Sequence, residues 1–143
     1  MKLIESIIGQ PTVAKALKDE VIVSRGLGNY EIGITNVWLF TGPSEIELSE
    51  VARIFAAALI CQDKGCGDCE LCIASINNLN PDIHTLVTEK LSISLEEIHE
   101  IISRVSWAPF KSRWKIVILE KAERLTDSAA QLLSSALEEA STN

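Results

Sequence analysis

Cysteine is missing from most of this 143-residue chain, because all four of its thiols fall within one short segment. Their spacing, Cys-x4-Cys-x2-Cys-x2-Cys, contains two overlapping Cys-x2-Cys pairs, and such a pair can grip one metal ion from a tight turn. Four thiolates complete a closed tetrahedral Zn²⁺ site with no position open to water, so its role is structural. We predict a zinc-binding module at residues 61–72, with the ligands Cys61, Cys66, Cys69 and Cys72.

Two other uses of the same thiols have to be compared with zinc. Disulfides need an oxidising compartment, and the charges of Lys2 and Glu5 stand where the apolar region of a secretory signal peptide would begin. The Cys-x2-Cys-x2-Cys portion also matches part of an iron–sulfur pattern, but the fourth cysteine lies upstream of it and no Cys-Pro pair follows. The pattern therefore favours zinc over either alternative.

Long apolar runs and an overall positive charge are lacking as well. The longest apolar run, Ile54 to Cys61, is far too short to span a bilayer, and we expect a soluble cytoplasmic protein with one core. The net charge of −7 argues against a protein that coats nucleic acid with its whole surface, and it favours protein partners. The segment from Arg104 to Arg124 is locally basic and could contact phosphates, although we interpret it as a solvated rim.

The rest of the chain alternates between helical periodicity and short β-prone runs. Pro11 suits the first turn of an opening helix, Ser94 and Glu97 form a capping box for another, and Thr126 is placed to cap the last. Three strands are predicted, at residues 37–40, 83–88 and 115–119. Alternation of helices with nearly continuous apolar strands predicts an α/β fold, with a parallel sheet covered by helices on both faces.

The turn after the first predicted strand has the position of a nucleotide-binding phosphate loop, G-x-x-x-x-G-K-[ST]. Gly42 and Ser49 match that pattern in register, but Glu47 replaces the second glycine and Leu48 replaces the lysine. A phosphate cradle needs backbone amides free to approach the anion and a cation on the β and γ phosphates. Both are gone, so we predict a degenerate loop that does not hold ATP.

The third predicted strand ends in Glu120-Lys121, where a nucleotide hydrolase would carry Asp-Glu. In such enzymes the acidic pair holds Mg²⁺ and orients the attacking water. Glu120 preserves one acid, but the ammonium group of Lys121 cannot act as a general base in this position. Ser49, a potential Mg²⁺ ligand, cannot offset these losses, and we predict no catalytic residue.

Other side chains give weaker signals. His84 and His99 lie on a predicted strand and a predicted helix, and neither has a second histidine four residues away, so we expect no metal or catalytic role for them. We interpret the three tryptophans, Trp38, Trp107 and Trp114, as packing residues rather than as a platform for stacking bases.

Several short motifs spread over the whole chain carry a family resemblance. They are Ile8-Gly9-Gln10, Trp38-Leu39-Phe40-Thr41-Gly42-Pro43, Ala52 to Leu59, the four cysteines, Asn80-Pro81-Asp82, Lys115 to Glu120, Leu125-Thr126 and Leu137-Glu138-Glu139. Together they resemble the bacterial clamp-loader AAA+ family, in which a zinc module after the phosphate-loop helix marks the tau/gamma and delta-prime subunits of DNA polymerase III. Because tau/gamma subunits keep the lysine and the Asp-Glu pair, whereas delta-prime subunits can lose them, the chain resembles delta-prime.

The resemblance implies a role without catalysis. A delta-prime subunit acts as a stator that, with tau/gamma and delta subunits, opens the sliding clamp and places it on primed DNA. Structural Zn²⁺ is then the expected cofactor, and ATP is not expected. The alternatives are an active or nucleotide-binding tau/gamma-type ATPase subunit and, outside replication, a separate zinc or redox adaptor.

The resemblance also implies that residues 1–143 are the N-terminal part of a longer AAA+ domain. The Ser-Arg-Cys motif, which in this family offers an arginine to a neighbour's ATP site, should follow the last helix, and Asn143 precedes it. In the AAA+ sheet the strand after that helix inserts between the first and third strands. Residues 37–40 and 115–119 are therefore expected to flank an empty position. The family often reads Leu-Leu-Lys shortly before Leu-Glu-Glu-Pro. This chain has Ser135 in place of that lysine and Ala140 in place of that proline.

Overall fold

In a computed structural model, the protein has a small parallel sheet between helices. The structure describes residues 1–7, 9–26, 35–43 and 47–141. The helices are α1 (Lys2–Glu5), α2 (Pro11–Val23), α3 (Leu48–Ile60), α4 (Glu70–Ile76), α5 (Leu95–Val105) and α6 (Asp127–Ser141). The strands are β1 (Ile83–Leu86) and β2 (Ile116–Leu119), and a 3-10 turn at Ala122–Arg124 follows β2. In these described ranges no helix has the length and apolar character needed to cross a membrane.

The two strands pair in parallel, with Ile83 opposite Ile116 and Leu86 opposite Leu119. Because successive side chains in a strand point to opposite faces, alternate residues enter different cores. One face of the sheet packs against α3 through Ile83, Ile118, Ala56 and Ile60. The other face packs against α5 and α6 through Leu86, Leu119, Ile98, Ala129 and Leu132. The parallel pairing and the helices on both faces are therefore confirmed.

Residues 37–40 do not form the strand that the sequence predicts. Trp38 and Phe40 lie 5.2 and 6.4 Å from the ring centroid of Phe55 in α3, whereas Leu39 between them is 78% exposed. The alternation typical of a strand is present, but a strand also needs a neighbour with which to exchange backbone hydrogen bonds. No segment in the described part of the chain pairs with these residues, so they remain an extended segment that packs on α3.

The local signals for helix starts are confirmed by the hydrogen bonds. The Glu97 amide donates to Ser94 Oγ at 3.4 Å, and the Ser94 amide donates to Glu97 Oε2 at 2.9 Å, which completes the predicted capping box. Thr126 Oγ1 accepts from the Ala129 amide at 3.3 Å at the start of α6. Pro11 is the first residue of α2. The two short helices α1 and α4 were not predicted from periodicity, because neither is long enough to show it.

Candidate metal centre and degenerate nucleotide site

The four cysteine sulfurs converge on one point, and all lie within 4.8 Å of one another. The Sγ–Sγ distances are 3.7 Å for Cys61–Cys66, 3.7 Å for Cys61–Cys69 and 4.0 Å for Cys66–Cys72. A tetrahedron with Zn–S bonds of about 2.3 Å has edges of about 3.8 Å, whereas a disulfide joins its sulfurs at about 2.05 Å. The four cysteines are unpaired, and their arrangement can hold one tetrahedral metal ion.

The cysteine loop joins the end of α3 to the start of α4. Cys61 directly follows α3, and Cys69 is the N-cap of α4, where its sulfur accepts a hydrogen bond from the Cys72 amide at 3.4 Å. Between them the chain turns sharply through Gly65 and Gly67, whose φ angles of 81° and 90° suit glycine. A metal ion bound here would fix the two helices to each other.

Two cysteines differ in how readily they ionise. The backbone N–H groups of Asp68 and Cys69 lower the pKa of Cys66 to about 7, so this thiol gives a thiolate more readily than an ordinary cysteine. Burial raises the pKa of the Cys72 thiol above its usual range. A divalent cation would stabilise both thiolates, since metal binding by cysteine releases the thiol protons.

Helix α1 packs against the cysteine loop from outside. The Leu3 amide donates to the Gly65 carbonyl at 3.2 Å, and the Leu3 side chain lies against Gly67. Lys2 Nζ lies 2.9 Å from Asp68 Oδ2, but both side chains are largely exposed, so this ion pair contributes little. The first turn of the chain therefore supports the loop mainly through Leu3.

Arg25 supports the same loop from the end of α2. Its guanidinium donates to the carbonyl groups of Leu59, Cys61 and Gln62, which are left without helical partners where α3 ends. A cation at the C-terminal end of a helix also opposes the partial negative charge there. Sequence analysis missed this residue, because its partners lie 34 to 37 residues further along the chain.

The residues of the degenerate phosphate loop lie at the start of α3. Glu47 is the N-cap of this helix and Leu48 is its first residue, with Ser49 next; residues 44–46 lie outside the described part of the chain. A cavity of about 350 Å³ opens between α2, residues 38–43 and α3, and both Gly42 and Leu48 line it. Among its described lining residues there is no lysine or arginine, so Leu48 adds alkyl surface where a phosphate would need a cation.

The degenerate acidic pair lies at the end of β2. Glu120 Oε1 is 3.5 Å from a guanidinium nitrogen of Arg53 in α3, and both side chains are about 20% exposed. The carboxylate charge is thus compensated within the protein. Lys121 is exposed and has a left-handed backbone with φ of 56°, where the chain leaves the strand for the 3-10 turn. Neither residue resembles a ready Mg²⁺ ligand.

The histidines do not join the metal centre. In the ranges that the structure describes, the cysteines form the group of side chains able to share a metal ion, and His84 and His99 lie outside it. Burial lowers the pKa of His84, and the nearby charges of Lys115 and Arg104 lower it further. His84 is thus a neutral side chain on β1 near neutral pH.

The interpretation of all three tryptophans as packing residues is wrong for Trp107. Trp38 packs against Phe55, and Trp114 is partly buried beneath the guanidinium of Arg113 at 5.5 Å. Trp107, however, is 75% exposed. The reason is that α5 ends at Val105, so Trp107 lies beyond the apolar face that packs on the sheet.

Asp82 is a structural residue that the sequence did not identify beyond a turn. Its carboxylate accepts hydrogen bonds from the amides of Phe110, Lys111 and Ser112 at 2.6, 2.9 and 2.9 Å, and from Ser112 Oγ at 2.6 Å. Burial opposes ionisation of this carboxyl, but the Ser112 hydroxyl and the three amides outweigh it and lower the pKa of Asp82 to about 2. Asp82 thereby fixes the loop that precedes β2.

Comparison with known proteins identifies the family. The family model described as "DNA polymerase III, delta subunit" matches residues 30–143, which is most of the chain. The chain belongs to this clamp-loader family. Its motif resemblance to clamp-loader subunits of DNA polymerase III is thereby confirmed.

Relatives of this clamp-loader chain include three kinds of subunit. It is 25% identical over 139 residues to DNA polymerase III subunit tau of Bacillus subtilis, covering 94% of this chain and 23% of the relative. DNA polymerase III subunit gamma of Buchnera aphidicola from Acyrthosiphon pisum is 26% identical over 137 residues, and the match covers 93% of this chain and 36% of that subunit. DNA polymerase III subunit delta' of Pseudomonas aeruginosa is 30% identical over 112 residues, and the match covers 74% of this chain and 34% of that subunit. The chain thus spans between about a quarter and about a third of these relatives. No solved structure matches it significantly.

Proposed function

We propose that the chain is part of a delta-prime-type subunit of a bacterial clamp loader, with an AAA+-type domain that does not hydrolyse ATP. It acts as a stator beside tau/gamma and delta subunits, which together place the sliding clamp on primed DNA. The observation that carries this proposal is Leu48, an apolar side chain at the position where a clamp-loader ATPase needs a lysine. The family match and the delta' relative support the same assignment.

The charges around the phosphate-loop position support this proposal. Glu47 is the N-cap residue of α3, although its side chain makes no capping hydrogen bond, so it brings a negative charge to the helix end that would otherwise receive a phosphate. Two unit charges of like sign about 5 Å apart repel by roughly 3 kcal/mol at an effective dielectric constant near 20. At the other side of the site, Glu120 is paired with Arg53 rather than free to hold Mg²⁺. The contacts with Mg·ATP expected at residues 47, 48 and 120 are therefore weakened.

We also propose that the cysteine loop binds one structural Zn²⁺. Four sulfur donors within 4.8 Å of one another fit a tetrahedral ion and leave no position for a reacting water. An iron–sulfur cluster fits less well, because its four cysteines are divided between two or more iron atoms, and sulfurs bound to different irons stand further apart than the 4.8 Å within which all four of these lie. The ion joins α3 to α4.

Absence of ATP turnover is the direct test of this proposal. The purified chain should release phosphate from Mg·ATP at the background rate, and equilibrium dialysis with labelled ATP should show no saturable binding. Ser49→Ala should leave both results unchanged, as should the control Ser134→Ala on the exposed side of α6. The proposal would be refuted by phosphate release that is lost in Ser49→Ala and kept in Ser134→Ala. Such a result would show that Mg²⁺ and ATP bind at this site.

A tau/gamma-type subunit that still binds nucleotide is the second candidate function. Relatives named tau and gamma match 94% and 93% of this chain, whereas the delta' relative matches 74%. The cavity of about 350 Å³ beside Gly42 also provides space for a ligand. Saturable ATP binding without hydrolysis would favour this candidate over the one proposed.

A further inference from the structure

The loop between α5 and β2 presents two large aromatic side chains to solvent. Trp107 and Phe110 are 75% and 74% exposed, in a chain with only seven aromatic residues of the Phe, Trp and Tyr types. A phenylalanine ring has no hydrogen-bonding group, and a tryptophan ring has only its indole N–H. The apolar faces of both exposed rings are therefore in contact with water. Contiguous exposed apolar surface on a soluble protein marks an interaction site, and these two rings lie three residues apart in one loop.

Positive charge is concentrated around the same two rings. No acidic residue occurs between Glu100 and Glu120, and the basic residues in that interval are Arg104, Lys111, Arg113 and Lys115. Residues 101–119 therefore carry a charge of +4, and the rest of the chain carries −11, since the total is −7. The loop is the part of the chain to which an anion would be drawn.

The backbone of this loop is held in place before any ligand arrives. The Asp82 carboxylate accepts the amides of residues 110–112 together with the Ser112 hydroxyl, so its own negative charge is buried and fully bonded. Arg104, in the last turn of α5, is ion-paired with Glu100 and opposes the partial negative charge at that helix end. A loop fixed in this way loses little conformational entropy on binding.

We propose that this loop binds single-stranded nucleic acid, with bases stacked on Trp107 and Phe110 and phosphates contacting Lys111 and Arg113. Every base has a flat face that stacks on an aromatic ring, and a charged backbone joins the bases, so two exposed rings followed in the same loop by two cations match a single strand. Duplex DNA hides the base faces and would leave both rings unused. An acidic protein segment would use the cations but supplies no comparable stacking partner.

This inference goes beyond the proposed function, because a stator can work without touching DNA itself. The test measures fluorescence anisotropy of a labelled oligothymidylate of about 16 nucleotides, the upper site size for one single-strand-binding fold. Trp107→Ala and Phe110→Ala should each weaken binding on the order of tenfold, because stacking on one ring is lost. Leu91→Ala, which removes an apolar side chain that is 94% exposed elsewhere, should leave the affinity unchanged.

A pair of charge variants tests the phosphate contacts separately. Lys111→Ala should reduce the slope of log affinity against log salt by about 0.7, the value for one phosphate contact on a single strand. Lys15→Ala makes the same change in net charge on α2, where Lys15 is exposed, and should leave that slope as it is. A conservative Trp107→Phe exchange should retain most of the affinity, since a ring remains.

Three results would overturn the inference. They are absence of oligothymidylate binding at low salt, equal losses in the Leu91→Ala control, and unchanged affinity in Trp107→Ala. Loss of binding to clamp-loader subunits in the Trp107→Ala, Phe110→Ala double variant, with oligothymidylate affinity retained, would instead assign the loop to a protein contact. None of these results alters ATP turnover, so failure here is distinguishable from failure of the proposed function.

Discussion

At the scale of single residues, the buried Asp82 carboxylate has a structural role that the sequence alone did not predict. A buried charge without partners would cost several kcal/mol, but four donors surround this one. The same contacts connect the start of β1 to the loop before β2, which are 28 to 30 residues apart in the chain. The carboxylate therefore sets the position of the loop that carries Trp107 and Phe110.

The depressed pKa of Asp82 predicts a specific dependence of stability on pH. The carboxyl has a pKa of 3.8 when unperturbed and about 2 in the folded protein. Its contribution of about 2 kcal/mol is therefore fully present above pH 4 and is lost as the pH falls towards 2. Asp82→Asn should lower the free energy of unfolding in urea at pH 7, and the difference from wild type should shrink between pH 4 and pH 2.

Asp63→Asn provides the control for that measurement, because Asp63 is an exposed carboxylate. Its difference from wild type should be small at every pH. If Asp82→Asn and Asp63→Asn cost equally little at pH 7, or if the cost of Asp82→Asn does not change with pH, the role given to Asp82 is wrong.

Gly65 offers a second test at the residue scale. A Cβ atom at this position would lie 2.9 Å from the Cβ of Ala58 in α3, and the φ of 81° already disfavours a side chain. Gly26 also has a positive φ, of 66°, but open space around it. We expect Gly26→Ala to cost about 1 kcal/mol from its backbone alone. Gly65→Ala should cost clearly more, as measured by urea unfolding, and equal costs would show that the cysteine loop does not pack on α3 as described.

At the scale of elements, a metal ion held by the four cysteines would replace packing that short segments cannot supply. Helix α4 has seven residues and the loop before it contains no regular structure, so neither would be stable alone. An ion shared by the four sulfurs would join both to α3, while Leu3 and Arg25 donate hydrogen bonds to the loop from outside. We expect the loop to depend on the metal far more than the sheet does.

Metal removal therefore has a predicted local effect. Elemental analysis should find one zinc ion per chain, and a strong chelator should lower the melting temperature by several degrees for each kcal/mol of metal binding lost. Hydrogen exchange should accelerate in residues 61–76 more than in β1 and β2. In Cys66→Ser the chelator should have little further effect. Finding iron with visible absorption, or no metal at all, would contradict the proposed zinc centre.

The sequence predicted those elements whose signals are local. Ser94 and Glu97 lie three residues apart and form their capping box within one turn, and the four cysteines approach one another between the end of α3 and the first turn of α4. Residues 37–40 were predicted wrongly, because strand formation depends on a distant partner rather than on their own alternation. The structural roles of Asp82 and Arg25 were not predicted for the same reason, because their hydrogen-bond partners are far away in sequence.

At the scale of the whole molecule, the two ends of β2 have different character. The end near Glu120 lies by the degenerate nucleotide site, where Arg53 neutralises the acid and Leu48 provides no cation. The start of β2 follows the basic loop, in a chain whose remaining residues carry an excess of negative charge. This separation supports the proposal that the subunit works through its surfaces rather than through catalysis.

Association with clamp-loader partners tests the central claim most directly. The purified protein should be mixed with tau/gamma and delta subunits of its own organism, and the mixture analysed by size-exclusion chromatography with light scattering. The account predicts one complex that contains all three kinds of subunit, and the same complex when Ser49 of the degenerate phosphate loop is changed to alanine. Separate elution of this protein under conditions in which tau/gamma and delta still associate would contradict it.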